Sequence, residues 1–461
     1  MFQPARTDFL ERVFFLFLSL LLVSIPGAAP SSAEPKEPGS FQSDHGKVQV
    51  AVQRLNDGKP ILTQEHFKAV GKSSGGKNIN GPHVIRVPEW VPKHERPSRN
   101  ANYYMYFANH GGSYIAMAYA ENPVGPWKLF NIGDARDKTL GLPEKNIPSR
   151  TVPGRGVVDL GLGNSNKIDT GDFRIKGHIA SPDVHIDHEN KRFIMYLHGG
   201  LNGPGQQTFV SVSKSGLNFN NPDSGGEQFD GVRSGFRNVV PGIFYFRVFQ
   251  VDHRYFAFSN TGQMYRAPAK TEKGNPATHA NADEPGGLFA PQNDKQRMTY
   301  WEYIPSERNP ILKIYKKLEG EPTRTNNPDG WLGTDGEWQP RHFTILDHHE
   351  NLLLIAYTAM FDKPERIFMT ALDLTGLSDR ERQNPDQWRI MKPMQMTLLK
   401  PKMTWEGADL KLTVSQNGSA TGVRALRDPY LFTDQDGTTY LYYTGRGEEA
   451  IGVAEVKIRF R

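Results

Sequence analysis

One arrangement recurs five times along this chain and restricts its fold more than any other feature. A polar or turn-like start leads into a short apolar strand. A turn with Asp, Asn or Gly follows, and then a strand rich in Tyr, Phe and Met. The copies are GPHVIRVPEW with NYYMYFANH (81–90, 102–110), SPDVHIDHENKRFIMYLHG (181–199), GIFYFRVFQVDHRYFAFSN (242–260), RHFTILDHHENLLLIAYTAM (341–360) and RDPYLFTDQDGTTYLYYTG (427–445). Alternation and the β-branched and aromatic content predict strands, and DHEN and DQDG predict hairpin turns. A strand pair with one apolar face cannot fold alone, whereas copies set around an axis bury one another. The expected fold is therefore all-β: a five-bladed β-propeller over residues 77–461 with long inter-blade loops. A β-sandwich with chance likeness among its hairpins is the alternative. Inserts at 131–177, 267–302 and 375–423 carry many Gly, Pro, Asn and Asp. Long loops on a rigid scaffold are where binding usually sits.

The first residues predict export. Arg6 and Arg12 precede an apolar run, VFFLFLSLLLVSI (13–25), which Pro26 and Gly27 break; Ser31, Ser32 and Ala33 then stand before Glu34. That order reads as a secretory signal over residues 1–33, its apolar part too short to span a bilayer. Residues 34–76 read as a linker leading into a strand or short helix. The expected mature protein is soluble, with no membrane contact, and is secreted or periplasmic in a bacterium. The chain has no cysteine, so disulfides, a thiol nucleophile and a Cys-based zinc site are all excluded. The net charge is +5, without a Lys/Arg run dense enough to track nucleic acid. For an exported protein, a sulfated or uronic polysaccharide is the more natural anion. Phosphate-loop and His-Glu-x-x-His motifs are absent.

The copies themselves carry a resemblance. YYMYFA with YIAMAYAENPVGPW resembles the first blade of five-bladed glycoside hydrolases, SPDVHID resembles the Ala-Pro-Asp-Val stretch of family 43, and LRDPYLFTDQDGTTYLYYTG resembles the Arg-Asp-Pro start used across that superfamily. QTFVSVSKSGLNF is similar to segments of families 32, 43, 62, 117 and 130. The resemblance implies a glycosidase whose blade starts place a base, a tuning carboxylate and an acid around one funnel. It also implies an inverting outcome, which needs carboxyl groups roughly 6.5–9.5 Å apart. No cofactor is implied as necessary; a structural calcium or other ion on the axis is compatible with it.

Several residues fit such chemistry. Asp183 and Asp428 are the acids kept at blade starts; the first start has His83 where the resemblance expects Asp, and the fourth has Arg341 and His342 with Glu337 just before. Alternation sends Asp183, His185 and Asp187 to one side of their strand. Asp183 then faces the funnel with His185 orienting it, or else caps a turn. His83 and His342 suit acid–base work because imidazole titrates near neutrality. Glu406 beside Trp405 reads as an acid raised by an aromatic wall, with Trp405 stacking on a sugar; Glu337 with Trp338 has the same form. Arg341 and Arg427 can clamp a substrate carboxylate, sulfate or hydroxyl, or form internal ion pairs. The expected catalytic set is thus Asp183, Asp428, Glu406, His342, His83 and Glu337, and the binding set Arg341, Arg427, Trp405 and His185. The expected function is a secreted glycoside hydrolase acting on a plant or algal, possibly anionic, polysaccharide. A non-catalytic carbohydrate-binding propeller is the second reading, and a sulfatase-like or lyase-like activity through His and Arg a third.

Overall fold

The structure is a computed structural model. It describes residues 37–43, 46–69, 76–110, 112–130, 157–159, 175–201, 206–220, 237–241, 244–252, 254–267, 301–312, 339–349, 351–391 and 396–460. The expected signal segment and Glu337 lie outside the described residues.

The chain forms a five-bladed β-propeller. The N-terminal strands are β1 (Glu37–Ser43) and β2 (Gly46–Arg54). Blade I follows with β3 (Asn80–Arg86), β4 (Tyr103–Ala108), β5 (Tyr114–Ala120) and β6 (Lys128–Phe130), and β7 (Val158–Asp159) also pairs with β5. Blade II has β8 (Ile175–Asp187), β9 (Arg192–Leu201), β10 (Gln206–Ser213) and β11 (Arg237–Pro241). Blade III has β12 (Arg247–Val251), β13 (Arg254–Phe258), β14 (Met264–Arg266) and β15 (Glu302–Ile304). Blade IV has β16 (Gln339–His349), β17 (Leu352–Met360), β18 (Ile367–Asp373), β19 (Arg389–Ile390) and β20 (Met396–Leu399). Blade V has β21 (Thr421–Thr433), β22 (Thr439–Gly447) and β23 (Ala450–Phe460), extended outward by β2 and β1. The five sequence copies are the first two strands of the five blades, and all blade pairings are antiparallel.

Burial explains why the ring closes. Five apolar clusters exist among the described residues, one at each interface between neighbouring blades. Tyr106 and Phe193 join blades I and II; Tyr196 and Phe246 join II and III. Phe258 and Tyr357 join III and IV, Leu354 and Tyr443 join IV and V, and Phe107 and Tyr442 join V and I. Each fully buried side chain of this size contributes roughly 1.5–3 kcal/mol, so no blade stands without both neighbours.

Within the expected linker at 34–76, β1 and β2 instead extend the sheet of blade V. Strand β2 pairs along β23 from Val48–Phe460 to Arg54–Ala454, joining N- and C-terminal strands in one sheet. The period-2 pattern of VQVAVQRL supplies the reason, since Val48, Val50 and Val52 are buried on one face. An ion pair fastens this seam. Arg54 donates from Nε to Glu406 Oε1 at 2.7 Å and from Nη2 to Oε2 at 2.8 Å. The insert at 375–423 is likewise partly blade, because it supplies β19 and β20 to β18.

Glu406 also accepts from Tyr443 Oη and from the backbone N–H groups of Lys402 and Met403. Glu406→Gln removes the charge facing Arg54 and turns an acceptor into a donor among these groups. The expected loss is about 3–5 kcal/mol of stability, read from urea unfolding midpoints at constant m.

Candidate functional site

Each blade carries a left-handed residue at one shared place, in or just before its inner strand. Gly81, Ser181, Tyr245, His342 and Asp428 all have left-handed backbones, with φ of 58°, 53°, 60°, 56° and 50°. In β3, β8, β16 and β21 the ladder skips across this residue, so each strand carries a bulge there; Tyr245 stands just before β12. Only glycine takes such angles without steric cost, and each non-glycine residue there costs of order 1–2 kcal/mol. The bulge turns two successive side chains to the same end of the axis. Asn80, Ala180 with Ser181, Phe244 with Tyr245, Arg341 with His342, and Asp428 all line one cavity of about 580 Å³. Two residues further on, His83, Asp183, Arg247, Thr344 and Tyr430 line a separate cavity of about 400 Å³.

The larger cavity holds a polarised pair of carboxyl groups. Burial pushes Asp428 well above the usual carboxylate range, and the charge of Glu448 adds to it against the Gly81 N–H and Thr444 Oγ1. Glu448 sits in the turn between β22 and β23. Burial alone would raise it, but His110, Arg427 and Asn78 override that and hold it at about 2. Arg427 Nη1 donates to Glu448 Oε1 at 3.0 Å, and Asn78 Nδ2 donates to Oε2 at 2.6 Å. The two carboxyl groups of this wall are thus shifted in opposite directions.

Around the pair stand four imidazoles. His342 Nδ1 lies 3.4 Å from Asp428 Oδ1, its ring stacked on Tyr245 at 4.6 Å. Burial, then the charges of Arg341 and Arg427, lower its pKa well below normal. His110 lies 3.6 Å from Glu448, stacks on His178, and His178 Nε2 is 3.2 Å from His198 Nε2. Burial lowers His178 to about 4 and His198 further. Among the described residues no three His, Asp or Glu side chains converge as metal ligands.

The expected site residues separate into three places. Asp428, His342 and Arg341 reach the larger cavity together. Asp183, His185 and His83 belong to the other side of the ring, so Asp183 and Asp428 are not equivalent blade starts. The matching positions are Ser181 with Asp428, and Asp183 with Tyr430. Asp183 accepts from His185 Nε2 and Val248 N, both at 2.8 Å, and lies 3.2 Å from His83 Nδ1. These contacts outweigh burial and hold its pKa far below the usual range, making it a strut between blades I, II and III. Glu406 and Trp405 lie at the N-terminal seam: Glu406 is 0% exposed, while Trp405 donates to Gly58 O and stacks on Tyr443. Their side chains face blade V and line neither cavity. Arg341 and Arg427 are not open clamps, since both pair with Glu365, through Oε1 and Oε2 at 2.7–2.9 Å. Sequence reasoning missed Glu448, Glu365, His110, His178 and His198. Glu365 and Glu448 each stand two residues before the third strand of blades IV and V, a shared position that comparison of the copies exposes.

No family model matches the chain. An uncharacterized protein of Acanthamoeba polyphaga mimivirus is 27% identical over 384 residues, covering 82% of this chain and 83% of that protein. Among solved structures, an endo-arabinase from Bacteroides thetaiotaomicron is 12% identical, covering 83% of this chain and 94% of that one, with a TM-score of 0.40. An alpha-L-arabinanase from Cellvibrio cellulosa is 13% identical, covering 83% and 91%, with a TM-score of 0.39. At these scores the likeness carries no argument about the chemistry of this chain.

Asp428 holds its proton more tightly folded than unfolded, so its contribution to stability is complete below the unfolded carboxylate pKa and declines as pH rises toward the folded value. Asp428→Asn mimics the protonated form permanently. Its melting temperature should match or exceed wild type at pH 7, with a margin that widens between pH 5 and pH 8 (measured by scanning calorimetry).

Proposed function

We propose that the protein is an exported glycoside hydrolase that acts at the larger axial cavity. Cleavage of a glycosidic bond needs an acid that is still protonated at working pH and a carboxylate that is ionised. The opposite shifts of Asp428 and Glu448 in one cavity support this reading more than any other observation. Asp428 acts as the acid that protonates the leaving oxygen, and Glu448 receives the proton of the attacking water. His342 positions the Asp428 carboxyl, and Thr444 Oγ1, 3.3 Å from Asp428 Oδ2, holds the other oxygen. The cavity volume suits one or two sugar units, and Tyr245 and Phe244 offer it aromatic surface. The substrate is a plant or algal oligo- or polysaccharide, met outside the cell after the N-terminal segment has directed export.

The purified protein incubated with a panel of neutral, uronic and sulfated polysaccharides should release reducing ends. Asp428→Asn and Glu448→Gln should each lower kcat by about 10²–10⁴ while the fold is retained. Activity should fall on the alkaline side as Asp428 ionises and on the acid side as Glu448 protonates. Saturable sugar binding with no released ends from the wild type would instead assign a non-catalytic carbohydrate-binding propeller.

A further inference from the structure

Glu448 is poorly placed to meet a water molecule directly. Its side chain is 3% exposed, against 38% for the neighbouring His110. Its oxygens are engaged from the protein side. Oε1 accepts from Arg427 Nη1 at 3.0 Å, and Oε2 accepts from Asn78 Nδ2 at 2.6 Å. Asn78 takes one lone pair of Oε2. The longer contacts from Asn80 Nδ2 and Ser419 Oγ, both 3.5 Å, enclose the carboxylate without saturating it.

His110 spans the distance between this carboxylate and the open cavity. Its Nδ1 lies 3.6 Å from Glu448 Oε2, and the residue lines the larger cavity. Asn78 ties the two groups together. Its Oδ1 accepts from the His110 backbone N–H at 2.8 Å while its Nδ2 donates to Glu448. The His178 ring stacks on the His110 ring at 5.4 Å, with 26° between the planes, and so holds its orientation. Burial lowers His178 to about 4, so near neutrality a proton arriving at His110 meets no cation on that face. Imidazole can accept a proton at one nitrogen while giving one up at the other. A separation of 3.6 Å is long for a hydrogen bond, but catalytic contacts commonly tighten only as substrate closes on them.

We propose, on the hydrolase reading of this cavity, that His110 is a further catalytic residue: it meets the attacking water and passes the water's proton to Glu448. The water oxygen bonds to the anomeric carbon as one of its O–H bonds breaks. That proton goes to His110 Nε2, and the Nδ1 proton goes to Glu448 Oε2. The bond from the anomeric carbon to the leaving oxygen breaks as that oxygen takes the Asp428 proton. His110 is left neutral in its other tautomer. Exchange with solvent then returns a proton to Asp428 and removes one from Glu448.

Two variants remove the relay. His110→Ala leaves a space where the imidazole stood, and His110→Gln fills it with a side chain that transfers no proton. On whichever polysaccharide the wild type cleaves, each should lower kcat by about 10²-fold or more with KM little changed. Added imidazole and its methylated derivatives should restore His110→Ala in the order of their basicity and leave His110→Gln as it is. A ring that served only the fold would not be replaced in that order. Circular dichroism checks that each variant is folded. If the wild type is active and both variants match it, the relay is overturned and the water belongs to Glu448 directly. A loss that imidazoles do not restore, or restore without regard to basicity, overturns it as well. A wild type that cleaves nothing in the panel overturns the hydrolase reading itself, and the relay falls with it.

Discussion

A regular strand cannot send two successive side chains to one face, and this protein's site depends on doing so. The left-handed residue in each inner strand resolves the conflict. Before it and at it, side chains collect at one end of the axis; beyond it, alternation resumes toward the other. The four non-glycine residues in this conformation carry strain that the surrounding hydrogen bonds and inter-blade packing must overcome. Strain of this kind is retained where it positions something. Here it places His342 and Asp428 side by side from two different blades, at 3.4 Å.

Charge in the ring is organised by glutamates that come from turns rather than from inner strands. Glu365 is 0% exposed and receives Arg341 and Arg427 together. Arg427 in turn reaches Glu448. Two arginines and two glutamates thus form a chain, Arg341–Glu365–Arg427–Glu448, in which the desolvation of each is met by its neighbours. The network has a second consequence. Burial raises Asp428, and the negative charge of Glu448, itself held low by His110 and Arg427, adds to that shift.

The fold was legible because every blade repeats the same hairpin, and hairpin turns such as DHEN and DQDG are local chemistry. The linker expectation failed for residues 37–54 because the partner of that strand is β23, some four hundred residues away, and no local pattern records it. The site was half legible. Asp428, His342 and Arg341 stand in the repeat and could be aligned, but the bulge adds one residue per strand and shifts the register by which Asp183 and Asp428 seemed equivalent. Glu406 beside Trp405 had the chemistry of a buried acid, and the structure does bury it. What the sequence could not show is that Arg54 waits for it there. Glu448 escaped notice because a turn glutamate is ordinary in sequence and becomes unusual only when Arg427 and Asn78 surround it.

A propeller with equal blades would present five equal residues to its axis and could recognise nothing that lacks fivefold symmetry. Function enters through the inequalities. Blade V supplies both carboxyl groups, one from β21 and one from the turn before β23. Blades II and III supply unpartnered donors and imidazoles, and blade I supplies an absence at Gly81. A molecule entering the cavity therefore meets a wall with two carboxyl groups and, across the axis, a hydrogen-bonding wall. That asymmetry dictates one orientation for an asymmetric ligand.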